Sequence, residues 1–549
     1  MKKIWLESYP NHVPSELSDS KFNTISEIFK YASDKFSNLV AFSNLGSNLS
    51  FKKTALLSDR FSAFFYNILR IRKGDKVAVM LPNLLTFPIS FFGCLNIGAI
   101  VINVNPLSKS REVKNLLIDS SAESIVILDK FLSELEPILS ETKIKNVIVC
   151  RPHDLLNFPM NVIVRTLLFF KTKVNKIDNN YILFRDIVRT KEKMLPIPIS
   201  KNDIALLQYT GGTTGKSKAA VLTHHNLVSN ISQLQLWVDN ILLEGKETII
   251  TALPMYHIFS LTVNLLFFYK IGSKNILITN PRDLKSFVNT LSKNEFTVIT
   301  AVNTLFNLLL TSTKFKNARL KSLKFSVGGG MAVLKSTATR WKRVTGCEIT
   351  QGYGLTETSP IVAVNPVGTN FNGSIGLPLP STEISIRDED DNEVPIGKSG
   401  ELCVKGPQVM TKYWNRDAET KDSFSSDGFF KTGDIAKIDE DGYLYIVDRK
   451  KDMIISSGFN VYPNEIEDYV SSFQGVVECG VVGKSDINRG ESIILYVVRD
   501  NQRITETDIF EHCKKGLTIY KQPKKIVFID EIPKNNVGKI LRRKLREMN

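Results

Sequence analysis

Residues 209–220, YTGGTTGKSKAA, hold the densest set of groups in the chain that could grip a phosphorylated ligand. Gly211, Gly212 and Gly215 can adopt positive φ and let backbone N–H groups approach a ligand closely. Thr210, Thr213, Thr214 and Ser217 add hydroxyls, and Lys216 and Lys218 add positive charge. Together these suit a polyphosphate. The spacing argues against a P-loop NTPase, which needs G-x-x-x-x-G-K-[ST]. Gly215, Lys216 and Ser217 supply the end of that motif, but its first glycine would fall where Thr210 stands. Alone, the loop reads equally well as an ordinary glycine-rich turn, so the rest of the chain must decide.

The elements around the loop can be read from apolar periodicity. The run 204–207 reads as a buried strand leading into it, and 222–236 has helical spacing. Up to about residue 200, strand-like runs (76–80, 100–104, 124–128) alternate with helical patterns (25–36, 111–118). A second alternating segment runs from 201 to 365, with strands expected at 249–253, 275–279, 297–301 and 325–327, the last entering Gly328, Gly329 and Gly330. Such alternation argues for α/β subdomains with parallel sheets. From 376 to 447 short strands are separated by Gly, Pro and Asp, as in a small β-rich lobe. The charged break 448–452 precedes about a hundred residues of mixed patterning, a size that suits a compact α+β C-terminal domain. The expected architecture is therefore α/β: a large N-terminal domain over 1–450, with two parallel-sheet subdomains and a β-rich lobe, then a smaller domain over 451–549.

Composition bounds the function. The 549 residues are 43% hydrophobic and 23% charged, as in an ordinary globular protein of several lobes. The net charge of +15 comes from scattered lysines, and no nucleic-acid module accompanies it. Lysine-rich composition with no meaning for partners is the favoured reading, and attraction to anionic substrates or lipid surfaces comes second. The six cysteines form no CxxC pair and sit in apolar surroundings, as reduced core residues of a cytosolic protein do. The N-terminus lacks an apolar run long enough for a signal peptide. Residues 83–108 are uncharged but carry Pro88, Gly93, Asn96, Gly98 and Asn103, so a buried helix and strand are expected rather than a membrane span. Residues 160–170 are apolar apart from Arg165; packing against the body is expected, with a membrane-surface contact the less favoured reading. HExxH and GxSxG motifs are absent, which removes support for metalloprotease and serine-hydrolase readings.

Four further stretches change the weight of the loop. They are QGYGLTETSP at 351–360, DGFFKTGDIAKIDEDGYLYIVDRKK at 427–451, SSGFNVYPNEIED at 456–468 and PKNNVGKILRR at 533–543. This ordered set resembles the adenylate-forming enzymes: acyl-CoA synthetases, firefly-type luciferases and peptide-synthetase adenylation domains. Across nearly the whole chain, including MKKIWLESYP, LPMYHIF, ITNPRDL and GELCVKGPQVM, it is most similar to the bacterial long-chain fatty-acid–CoA ligases.

The resemblance implies a two-step reaction. A fatty carboxylate attacks the α-phosphate of ATP to give acyl-AMP and pyrophosphate, and the thiol of CoA then displaces AMP. Tyr209, Thr210, Gly211, Gly212, Thr213, Thr214, Gly215, Lys216, Ser217, Lys218, Ala219 and Ala220 would form the phosphate loop. Glu357, with the Thr210 hydroxyl, would bind Mg²⁺. Tyr353 would stack on adenine, with Gly330, Gly352, Gly354 and Thr356 nearby, and Asp434 and Arg449 would reach the ribose. Lys539 would bridge the attacking carboxylate and the α-phosphate. The C-terminal domain would be mobile, turning about Lys451 to withdraw Lys539 and bring Ser457, Gly458 and Phe459 to the CoA channel. His257 would lie near the acyl carboxylate, although a lone histidine in an apolar segment also reads as core. Residues 259–268 and 300–310 are candidate acyl-tunnel walls. Family loops usually carry Lys-Gly where this chain has Lys218-Ala219, and Ala219 would be strained at positive φ.

The expected partners are a long-chain fatty acid, ATP and CoA, with peripheral contact to the inner membrane and none to nucleic acid. Chain-length preference and oligomeric state, including a homodimer, stay open. So do transfer of the acyl group to a carrier protein and nucleotide or lipid binding without turnover.

Overall fold

A computed structural model describes residues 2–18, 20–171, 180–210, 217–318, 320–456, 459–486, 490–500, 503–535 and 538–548. Two large sheets dominate the first 380 residues. One has eight strands, with central strands Ile204–Thr210, Ile100–Asn103, Lys76–Met80, Ser124–Leu128 and Asn146–Cys150 in parallel register. The other has nine, and its parallel centre runs Ile349–Gly354, Phe325–Gly328, Val298–Ala301, Thr248–Thr251 and Lys274–Leu277. These strands are apolar on both faces because helices cover both sides.

The sheets are not consecutive halves of the chain, as alternation alone would suggest. The hairpin Val40–Asn44 and Ser47–Ser50 joins the second sheet by pairing Phe42 with Asn275. Ile204–Thr210 belongs to the first sheet and returns antiparallel as Lys218–Thr223. Sheet membership depends on which edge a strand meets, and composition carries no record of that.

The expected helix over 222–236 is displaced for a local reason. Lys218–Thr223 continues as strand, and Thr223 caps the helix His224–Val238, with its hydroxyl accepting from Asn226 N. Polar residues on this buried helix fasten the lobes. Asn226 donates to the Pro407 and Val409 carbonyls, Asn230 exchanges bonds with Ile361, and Gln233 donates to Pro380.

The β-rich lobe is a four-stranded antiparallel sheet of Glu383–Arg387, Gly400–Lys405, Phe430–Ile438 and Leu444–Arg449. It is narrower than 376–447. Leu377–Pro378 completes the second sheet, and Lys412–Tyr413 pairs with the hairpin strand Lys218–Thr223. After Arg449 a separate sheet begins at Ile454–Ser456. It includes the long pair Val476–Asp486 and Gly490–Arg499 and packs its own core around Val481, Leu495 and Ile509.

Residues 83–108 contain the buried helix Thr86–Leu95 and strand Ile100–Asn103, as expected. No described helix is long and apolar enough to cross a membrane. The run 259–268 is mostly a π-helix, Ser260–Phe267, fully buried. The apolar run near 160 is the helix Met160–Lys171, with Met160 and Val164 packed on the main core. All six cysteines are buried and free.

Candidate active site

Strands Ile204–Thr210 and Lys218–Thr223, paired antiparallel, flank the candidate phosphate loop. Its base is pinned: Ser217 Oγ donates to the Thr210 carbonyl at 2.6 Å, and Thr210 Oγ1 to the Lys218 carbonyl at 3.3 Å. Tyr209 donates to Asp119 at 2.7 Å, and Arg416 holds the other oxygen of that carboxylate at 2.6 Å. Gly211, Gly212, Thr213, Thr214, Gly215 and Lys216 lie outside the described residues. Ala219 is an extended strand residue, paired with Tyr209 and fully buried, and Trp414 N donates to its carbonyl. No positive φ is required there, so the strain considered for this alanine does not arise. Ala219 and Ala220 are buried within the sheet and do not line the cavity beside the loop.

That cavity, of about 2030 Å³, gathers most of the remaining candidates: Thr210, Gly330, Tyr353, Glu357, Arg449 and Lys539 all border it. Ser217, Lys218, Gly352, Gly354, Thr356, His257 and Lys451 do so as well. Gly354 is required by a close approach, since a Cβ there would stand 1.9 Å from the Pro360 carbonyl oxygen.

Glu357 is 9% exposed and accepts a 2.8 Å hydrogen bond from Tyr413. Burial raises its pKa, while the Tyr413 bond opposes the rise by favouring the carboxylate. The sequence does not single out Tyr413. Its one signal is an aromatic pair beside basic residues in KYWNR. Lys218 lies over the same ring, 5.3 Å from its centroid. Among the described residues no group of three or more His, Cys, Asp or Glu side chains could cage a metal. The buried Glu357 carboxylate and the Thr210 hydroxyl, which border one cavity, nevertheless fit Mg²⁺, which uses few protein ligands and takes substrate oxygens.

Asp434 lies behind the cavity wall, 2% exposed. One oxygen is 2.6 Å from Arg449 Nε and the other accepts from the Tyr353 hydroxyl at 2.5 Å. These contacts fix the Tyr353 ring and the Arg449 guanidinium on the cavity that Gly328–Gly330 also border.

Lys539 enters from the C-terminal domain on a short hairpin. Lys534 and Ile540 form its bridge, and Lys539 N donates to Asn535 Oδ1 at 2.8 Å. Lys539 is half-buried, and loss of water around the ammonium together with the Arg449 cation lowers its pKa to about 8. His257 feels that charge: burial first, then Lys539, lowers its pKa to about 4, so its imidazole is neutral near pH 7. Lys451 is also shifted downward by burial. Phe459 does not join the cavity; it is 54% exposed and stacks on Tyr520, with centroids 4.5 Å apart. Ser457 and Gly458 lie outside the described residues.

The cavity extends into an apolar chamber. Val263, Phe267 and Phe268 contribute from the π-helical run, as expected, but 300–310 supplies only Val302. Leu305, Phe306, Leu309 and Leu310 pack instead in a separate core. The other walls come from Leu234, Trp237 and Val238 on the capped helix and from Phe325, Ile361 and Val364 on strands. Those residues read only as core, because the chamber forms where distant segments meet.

Comparison with known proteins places this geometry. Residues 29–414 match the AMP-binding enzyme family and residues 465–539 match the AMP-binding enzyme C-terminal domain. The long-chain-fatty-acid–CoA ligase of Salmonella typhimurium is 46% identical over 552 residues, covering 100% of this chain and 98% of that protein. The ligase of the same name from Bacillus subtilis is 34% identical over 554 residues, covering 100% and 98%. Among solved structures, ATP-bound MatB from Rhodopseudomonas palustris has a TM-score of 0.82 at 28% identity, covering 95% of this chain and 98% of that one. The chain belongs to the AMP-binding, adenylate-forming enzymes and groups with their bacterial long-chain-fatty-acid–CoA ligases.

Proposed function

We propose that this enzyme joins long-chain fatty acids to CoA by way of an acyl-AMP. In the first step a carboxylate oxygen bonds to the α-phosphorus of ATP and the bond to the β-phosphate bridge breaks, releasing pyrophosphate. In the second, the CoA thiol loses its proton and sulfur bonds to the acyl carbon, while the acyl–phosphate oxygen bond breaks and AMP leaves. Negative charge gathers in both transition states, so placed cations and N–H donors are the chief requirement. The observation that carries this reading is Lys539, brought from the C-terminal domain to the same cavity that Arg449, Tyr353 and Glu357 border.

Each residue then has a task. Lys539 holds the carboxylate and α-phosphate together. Thr210, Ser217 and Lys218 grip the outer phosphates, Tyr353 carries the adenine, and Asp434 and Arg449 fix the ribose. Glu357 and the Thr210 hydroxyl would hold magnesium, which when bound offsets phosphate charge. Neutral His257 orients the acyl carboxylate. The chamber binds the alkyl chain, each buried methylene contributing ~0.8 kcal/mol. Lys539 obstructs the second step, so residues 451–549 rotate about Lys451 and carry the 457–459 loop to the thiol path. The exposed position of Phe459 supports this two-position scheme.

The helix Met160–Lys171 is a candidate contact with lipid. Val162, Ile163 and Leu167 are exposed on it, and Phe158 before it is 82% exposed. A substrate dissolved in membranes gives such a surface a use.

The test is to incubate the protein with ATP, magnesium, CoA and, in turn, acetate, octanoate, palmitate and oleate. Palmitoyl- and oleoyl-CoA with matching AMP and pyrophosphate are expected. Accumulation of acyl-AMP with no thioester would point to a different acceptor and overturn the reading.

A further inference from the structure

The hairpin carrying Lys539 rests on one turn of the N-terminal domain. Gly538, at φ +85°, sits so close to residues 302–304 that a Cβ added to it would lie 2.5 Å from Thr304 Oγ1 and 3.4 Å from Val302 Cγ2. The other methyl of Val302 faces the nucleotide side: a Cβ added to Gly330, at φ +77°, would lie 3.7 Å from Val302 Cγ1. A single valine thus fills the space between two glycines, one in the nucleotide wall and one beside the lysine.

The turn itself is held firmly. It follows the buried strand Val298–Ala301 and opens the helix Asn303–Thr311. Asn303 Oδ1 accepts from Leu334 N, which ties the turn to the segment after Gly330, and Gln351 Oε1 fixes that segment in turn by accepting from Val333 N. The hairpin is equally fixed to its own domain, with Lys534 paired to Glu478 at 2.6 Å. The two domains therefore meet at a contact with no side chain on the Gly538 side.

We infer that Val302 and Thr304 form a seat that receives Gly538 and sets how far Lys539 reaches into the cavity, making Thr304 a positioning residue for acyl-adenylate formation alone. The inference rests on the proposed role of Lys539. The seat is used when the lysine is delivered and vacated when the C-terminal domain turns away. Filling it should hinder the first step and leave the second untouched. A residue that merely stabilised the fold would affect both.

The test uses the full-length enzyme and two separate half-reactions: oleate-dependent exchange of labelled pyrophosphate into ATP, and oleoyl-CoA formation from supplied oleoyl-AMP. For Thr304→Tyr, exchange should fall by roughly 20-fold or more while thioester formation stays within about twofold. Equal losses in both would overturn the seat. Because a tyrosine there could impair folding, a second comparison decides independently. Gly538→Ala should lose exchange through both its positive φ and its contact with Thr304. Adding Thr304→Ala to it removes the contact and should recover exchange by roughly fivefold. No recovery would mean that the loss is local to the hairpin and would overturn the seat. Lys539→Ala is measured alongside. If it retains exchange, the assignment of Lys539 fails; if it loses exchange and Thr304→Tyr does not, only the seat fails.

Discussion

Arg449 Nε lies 2.6 Å from Asp434 Oδ1, and the two partners are unequally shielded: the Asp434 side chain is 2% exposed and that of Arg449 is 29% exposed. Removing one partner of a buried pair strands the other, and the cost depends on whether the survivor can reach water. Arg449→Ala leaves a buried carboxylate with only Tyr353 and should cost about 2–3 kcal/mol. Asp434→Ala leaves a cation that can turn to solvent and a Tyr353 hydroxyl without its acceptor, and should cost somewhat less, about 1–2 kcal/mol. Thermal melts of the two variants check the order, and a less stable Asp434→Ala would contradict it.

The lowered pKa of Lys539 gives the first step a pH signature. The cation is the form that attracts carboxylate and phosphate, so it is present below about pH 8 and lost above it. The kcat/KM of pyrophosphate exchange, which reports groups of the free enzyme, should fall above that pH. In Lys539→Arg the fall should move out of the accessible range, because a guanidinium stays charged. An unchanged descending limb in that variant would assign it to another group.

Tyr413 supports Glu357 from outside the phosphate loop. Tyr413→Phe removes the 2.8 Å bond, the largest influence opposing burial, which shifts Glu357 toward the protonated acid. A hydrogen bond to a charged group is worth about 1.5–3 kcal/mol, so half-saturating magnesium should rise roughly tenfold. Titration of magnesium at fixed ATP, read by exchange, measures this; an unaltered midpoint would separate Tyr413 from the metal site.

Two small substitutions should have opposite weight. Ala219→Gly makes this loop more like those of the family, yet Ala219 lies in a regular strand. Exchange should stay within about twofold, and stability should drop by about 1 kcal/mol from the added chain entropy. Gly354→Ala would drive a methyl to 1.9 Å from the Pro360 carbonyl and should cost about 3 kcal/mol or more. A higher exchange rate in Ala219→Gly, or a normal melting temperature in Gly354→Ala, would contradict these expectations.

Legibility in the residues divides by sequence distance. Strands such as Lys76–Met80 and Ser124–Leu128 have the expected bounds, because β-rich apolar composition is a local property. The displaced start of the helix at His224 is visible too, in Thr223 and Asn226, but the apolar residues of KAAVLT fit a strand or a helix equally. Long-range pairing is not legible: nothing near Phe42 points to Asn275, and nothing near Tyr413 points to Glu357. The candidates that come together around the cavity belong to whole motifs, whereas Tyr413, Trp237 and Thr304 act through neighbours far along the chain.

The π-helix Ser260–Phe267 has a consequence for how this enzyme can change. A π turn carries a surplus residue relative to an α turn. Loss of one codon within it would let the segment relax to an α-helix with the flanking turns still in register, so that one side chain leaves the run and its neighbours keep their bearings. The wall that Val263 shares with Phe267 and Phe268 would be rebuilt with one residue fewer, changing the chamber's shape, while Lys539, Glu357 and Asp434 on other elements kept their places. Descendants of such a gene could inherit a new diet of acids with the activating chemistry intact.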